Sequence, residues 1–221
     1  MTSHFPPEVF EFLNDLKANN RREWFEANRQ RYAATIETPA RRFVDAFAPR
    51  LASIGAQFVA SARPRGAFAG LERRSRFPLD ASPFRTDLIL RFPHRARRIK
   101  LPPMFYLHIE PGRSFGGGGM YHPDPASLAK IRAAIDQRPG DWRAVLASAP
   151  IVHGESLTRT PDGYVADHPF AADLKRKGHV VMLNYGDHEV TSSGFLDQFA
   201  ECCRTAAPLV RFLTEAVGLP W

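Results

Sequence analysis

Met104-Phe105-Tyr106-Leu107-His108-Ile109-Glu110, then Pro111-Gly112, then Ser114 to Tyr121, is the stretch on which the fold turns. Its first part is rich in aromatic and β-branched residues, which suit a pleated, half-buried surface. Proline followed by glycine signals a tight turn, so the second part returns antiparallel to the first. Leu88 to Phe92 reads as another strand and Val180 to Tyr185 as a buried one. Together these segments predict the core of an antiparallel sheet.

Helical spacing surrounds that core on both sides. Pro6-Pro7 opens a first helix with Val9, Phe10, Phe12, Leu13 and Leu16 on its inner face, ended by Asn19-Asn20. A second helix, from about Arg21, carries Trp24, Phe25, Asn28, Tyr32 and Ile36. Pro39 marks a break or a new first turn before a third helix that ends at Gly55. After the sheet, Pro123-Asp124-Pro125 caps a helix with Leu128, Ile131 and Ile135 inward, and Trp142 and Val145 continue a helical pattern. Ile151-Val152 suggests a short strand, Asp167-His168-Pro169 a cap leading into a short helix near 171–177, and 193–217 a last helix kinked or restarted at Pro208. The expected fold is α+β, an antiparallel sheet packed by N-terminal, middle and C-terminal helices, in one domain spanning 1–221.

The chain of 221 residues carries a formal charge of +7, a balance that points to a partner bearing phosphate or carboxylate. The excess is local. Residues 63–100 hold eleven basic side chains against three acidic ones, while the remainder has nineteen against twenty. Cys202 and Cys203 are adjacent and poorly placed to bridge each other, which suggests reduced thiols. The N-terminal residues lack the features of a secretory leader, and no apolar run approaches membrane-spanning length, so a cytoplasmic protein without membrane contact is expected.

The segment Arg73 to Asp87 mixes arginines, prolines, phenylalanines and aspartates in a pattern that fits neither an amphipathic helix nor an alternating strand. Guanidinium forks pair two-pronged with phosphate or carboxylate, so Arg73, Arg76 and Arg85 gathered on one surface would bind an anion. Asp80 would orient a fork and Ser82 would donate to the same ligand. The alternative is that Asp80 merely holds the loop while Phe77 and Phe84 plug it into the core. The run Gly116 to Gly119 fits close packing best; Gly117 and Gly118 would otherwise offer amides to an oxyanion. It has neither the lysine and hydroxyl of a phosphate loop nor the spacing of a dinucleotide fingerprint.

His108 and Glu110 share one strand face, with His122 on the partner strand, a grouping that suits a general acid or base better than a metal centre. An ordinary strand histidine remains the simpler reading of His108. No serine elbow is present, and no metal or other cofactor is called for.

Several segments jointly resemble the microbial domain-of-unknown-function family 2461. They are Phe12-Leu13 with Asn19-Asn20 and Arg22 to Phe25; Arg76-Phe77, Asp80 and Ser82 to Thr86; Leu107 to Gly112; the glycines before Met120-Tyr121; and Pro161, Gly163-Tyr164, His168-Pro169, Leu174, Lys175 and Lys177. The resemblance spans nearly the whole chain. It implies a compact domain mixing helices and sheet, and it implies no activity. Arg74, Pro78, Ala81 and Asp87 depart from its pattern, which has aspartate, serine, lysine and asparagine at the respective places.

The sequence therefore suggests a cationic cleft that recognises, or turns over, a small molecule bearing phosphate or carboxylate. Two alternatives stand beside it: a nucleic-acid binder using the 63–100 patch, with Arg95, Arg97 and Arg98 in it, and a module for an acidic protein partner. Oligomeric state is not legible in the chain.

Overall fold

The computed structural model describes residues 3–63, 66–73, 82–96, 99, 101–148 and 154–221. Helix α1 (Glu8–Ala18) buries Val9, Phe10, Phe12, Leu13 and Leu16, the five positions its spacing selects. The second helix is not continuous. It divides into α2 (Arg22–Ala27) and α3 (Arg29–Tyr32) at Asn28, whose side-chain amide donates back to the Trp24 carbonyl at 2.9 Å. A π-helical turn (Ala33–Glu37) then leads directly into α4 (Thr38–Ile54), whose second residue is Pro39.

Strands β1 (Leu88–Pro93), β2 (Met104–Ile109), β3 (Ser114–Met120) and β4 (His179–Tyr185) form an antiparallel sheet in the order β1-β2-β3-β4. The architecture is α+β, as the pattern of segments predicts. Between β3 and β4 run α5 (Pro125–Gln137), α6 (Pro139–Ser148) and α7 (Ala171–Lys175). After β4 come the short α8 (Asp187–Val190) and the long α9 (Phe195–Ala216). Helix α9 passes through Pro208 without interruption, so it does not restart there, and it buries Leu209, Val210, Phe212 and Leu213 beyond that residue. That apolar face holds the helix together across the one missing hydrogen bond.

Other boundaries also differ. In α5 the inner face is Ser127, Ile131, Ala134 and Ile135, and Leu128 is only half-buried, because Asp124 caps the helix by accepting from the Ser127 amide at 3.0 Å and its hydroxyl at 2.7 Å. Helix α7 starts at Ala171 as expected, after Phe170, whose amide donates to His168 Nδ1 at 3.0 Å, but ends at Lys175. Strand β4 is buried over its first three residues only. The strand expected at Ile151-Val152 lies outside the described residues.

One sheet face is covered by helices. Leu88, Leu90 and Phe92 of β1 and Phe105, Leu107 and Ile109 of β2 are fully buried on it. Phe47 of α4 meets Phe92 and Phe199 with ring centroids 4.8 Å apart in each pair. Helix α9 lies directly on β3, and Gly116 and Gly118 let it come that close. A methyl group at Gly118 would stand 2.7 Å from Val210 Cγ2 and 2.9 Å from Phe105 Cδ1. Gly118→Ala is therefore expected to cost about 1–3 kcal/mol by overpacking, whereas Gly140→Ala, with nothing within 4 Å of the added carbon, is neutral or stabilising; urea titrations of both variants check the contrast.

A buried polar cluster ties the α5–α7 segment to the sheet. Trp142 Nε1 donates to Asp173 Oδ2 at 3.1 Å, Arg176 Nε donates to Asp173 Oδ1 at 3.3 Å, and His179 Nε2 donates to the Asp173 carbonyl at 3.1 Å. His179 is fully buried, with Nδ1 unpartnered, and burial pulls its pKa down to about 4, opposed by Asp173 and reinforced by Arg176 and Arg132. The unfolded chain thus takes up this proton first as pH falls below the ordinary histidine value of 6.5. Stability contributed by neutral His179 is complete above that value and drains away toward pH 4. Lowering the pH from 7 to 4.5 should cost the wild type on the order of 2–3 kcal/mol more than His179→Gln, which cannot titrate; urea unfolding at the two pH values reads the difference.

Candidate functional site

The other face of the sheet is the open one. Register places Ile89, His108, Phe115 and Asn184 in one cross-strand row; Arg91, Tyr106, Gly117 and Met182 in the next; and Pro93, Met104, Gly119 and Val180 in a third. The rows containing Gly117 and Gly119 have no side chain on β3. None could be accommodated, because a Cβ at Gly117 would collide with the Val181 carbonyl oxygen and one at Gly119 with that of His179, where φ is also +144°. Bare backbone at these two positions borders a cavity of about 620 Å³ along the face, a size suited to a small-molecule ligand. Its walls include Tyr106 and Met104 on one side and Met182 and Val180 on the other.

At one end sits a chain of charged groups. Asp87 accepts a two-pronged contact from Arg85, Nε at 3.0 Å and Nη2 at 2.6 Å. His108 lies between carboxylates, Nδ1 3.4 Å from Asp87 Oδ2 and Nε2 3.1 Å from Glu110 Oε2. Its ring stacks on Phe115 at 4.6 Å between centroids, and the Tyr106 hydroxyl is 3.5 Å from Nδ1. Burial pushes the Tyr106 phenol up, with Arg91 and Arg85 opposing, so the hydroxyl keeps its proton and is available as a donor.

This arrangement has a chemical consequence. With Nε2–H directed at Glu110, an unprotonated Nδ1 accepts from Tyr106, and a protonated Nδ1 donates to Asp87 instead. Each state has its partners in place, so His108 can carry or release a proton without rearrangement of its neighbours. Its two nitrogens are turned to different carboxylates, and among the described residues no three ligating side chains converge as a metal requires. His122 lies past the far end of β3, beyond the row of Met104, and so is remote from His108.

The residues singled out in the sequence divide into four groups. His108, His122, Gly117, Gly118 and Gly119 line the cavity. Arg85 adjoins it through Asp87. Arg73 and Ser82 are not among its lining residues; Arg73 Nε donates to the Phe84 carbonyl at 3.2 Å. Arg76 and Asp80 fall outside the described residues, as do Arg74, Phe77, Pro78 and Ala81 and, within the basic patch, Arg65, Arg97, Arg98 and Lys100. Asp87, Arg91, Tyr106 and Met182 belong to the cavity without having been singled out for a site. Period-two alternation along β1 and β2 carried the signal for Arg91 and Tyr106, since both lie on the face opposite the apolar residues.

A family model described as conserved hypothetical protein (DUF2461) matches residues 8–212. The chain belongs to this family. No curated protein and no solved structure matches it. The family segments quoted above meet in space: Asn20 clamps Phe84 with two hydrogen bonds of 2.9 and 3.0 Å, Phe25 stacks on Phe84 at 4.1 Å, and the residues that follow lead through Arg85 and Asp87 to His108. Among the described residues no helix is long and apolar enough to cross a membrane.

The Arg85–Asp87 fork anchors this end of the cavity, both side chains being three-quarters or more buried. A double-mutant cycle on Arg85→Gln and Asp87→Asn should give a coupling of about 1–3 kcal/mol in urea unfolding, and a value below about 0.5 would show that the fork is not the anchor.

Proposed function

We propose that the cavity on the open sheet face binds a small molecule carrying a carboxylate or phosphate, with Arg91 engaging the anionic group and His108 taking up or giving a proton beside it. The observation that carries this reading is a histidine with a partner for each of its protonation states, set at the edge of a cavity whose wall holds Arg91, an arginine with no ion pair among the described residues. Arg113 stands at the same end, largely exposed and 4.0 Å from Glu110. Among these groups Arg85, Arg91 and Arg113 outnumber Asp87 and Glu110, which leaves a local positive excess suited to an anion. This reading takes Arg91 on the sheet face as the cation for the ligand, Arg85 being held by Asp87. The reaction class it supports is proton transfer to or from a bound oxyanion or its neighbouring atom. Buried free thiols at Cys202 and Cys203 support a cytoplasmic setting.

Thermal-shift measurements against mono- and dicarboxylates, inorganic phosphate and sugar phosphates test the reading. A ligand at a hundred times its Kd should add about 2.7 kcal/mol, a rise of roughly 5–10 °C for a chain of this size, and Arg91→Gln should abolish it. Retention on DNA at low salt that falls steeply with ionic strength, together with no anion response that Arg91→Gln removes, would favour the nucleic-acid alternative instead.

A further inference from the structure

Resting on that reading, we infer that the natural ligand is an amphipathic anion, an aliphatic chain ending in a carboxylate or phosphate, with its head beside Arg91 and His108 and its tail lying along β3 toward Leu101 and Tyr121. Across the strand rows of the cavity polarity falls in one direction, with His122 standing past the last row. The rows of His108 and Arg91 carry the charged groups, whereas the row of Met104 and Val180 carries none. Beyond that row, Leu101 and Tyr121 line the same cavity and remain 47% and 53% exposed, apolar surface that a bound tail would remove from water.

Methionine usage points the same way. The chain has four methionines, and Met104 and Met182 flank the bare glycine rows on this face, while Met120, 3% exposed, is on the α9 side of β3. Unbranched thioether side chains adapt to a flexible apolar partner better than branched ones do. The bare rows at Gly117 and Gly119 leave an uninterrupted trough between the two walls. From the row of His108 to that of Met104 is four residues of strand, about 14 Å, so the tail has room for a chain of medium length.

Isothermal titration of the full chain with inorganic phosphate, butanoate, octanoate and dodecyl phosphate tests the inference. Each added methylene should tighten binding about fourfold, which amounts to roughly 250-fold between butanoate and octanoate. Arg91→Gln should weaken every member of the series by a similar factor. Leu101→Ser and Met182→Ser should flatten the chain-length dependence; Leu101 is exposed enough for its variant to fold, which circular dichroism verifies. Equal affinity for butanoate and octanoate would overturn the amphipathic ligand while leaving the anion reading intact. Chain-length dependence that persists in both serine variants would place the tail elsewhere and also overturn it. Failure of every anion to bind would remove both.

Discussion

The close approach of α9 to β3 is the constraint on which both faces of the sheet depend. A four-glycine strand loses more backbone entropy on folding than any other of its length, so it needs support from all sides. Here β2 and β4 pair with it along both edges, and α9 packs directly upon it. On the helix side, Gly116 and Gly118 make room for Phe199 and Val210. On the opposite side, Gly117 and Gly119 present bare peptide to the cavity. The close packing of one face and the bare border of the cavity on the other thus involve the same four residues.

Electrostatics at the cavity are organised by Asp87. Its carboxylate binds the Arg85 fork and faces His108, so a residue from the segment before β1 fixes the charge environment of a residue on β2. Arg85 is thereby paired, while Arg91, four residues from Asp87 in sequence and one row from His108 in the sheet, lines the cavity with no ion pair among the described residues. Strand pairing, more than the local density of arginine, decides which guanidinium faces the cavity.

The N-terminal helices position this segment from a distance. Asn20, just past α1, holds both backbone groups of Phe84, and Phe25 of α2 stacks on the Phe84 ring. Arg22 reaches Glu72 at 3.3 Å, across the isolated bridge between Glu72 and Phe84. Residues about sixty positions apart are joined by these contacts. They supply a physical reason for motifs at Asn19-Asn20, Trp24-Phe25, Phe84-Arg85 and His108-Glu110 to occur together in one chain.

Composition and periodicity by themselves determined the α+β class, the strand–turn–strand at Met104 to Tyr121, the inner face of α1, and the packing role of the glycine run. These are local properties: alternation, helical spacing and turn chemistry act over a few residues, and the buried face follows from them. Only the tertiary structure decided that Asp87 would hold Arg85 and confront His108, that His122 would lie at the far end from His108, that α9 would continue through Pro208, and that Met104 and Met182 would share one cavity. Each of those outcomes depends on strand register or on packing between distant segments. A residue's own neighbours in sequence contain no record of which partner will be brought across from the next strand.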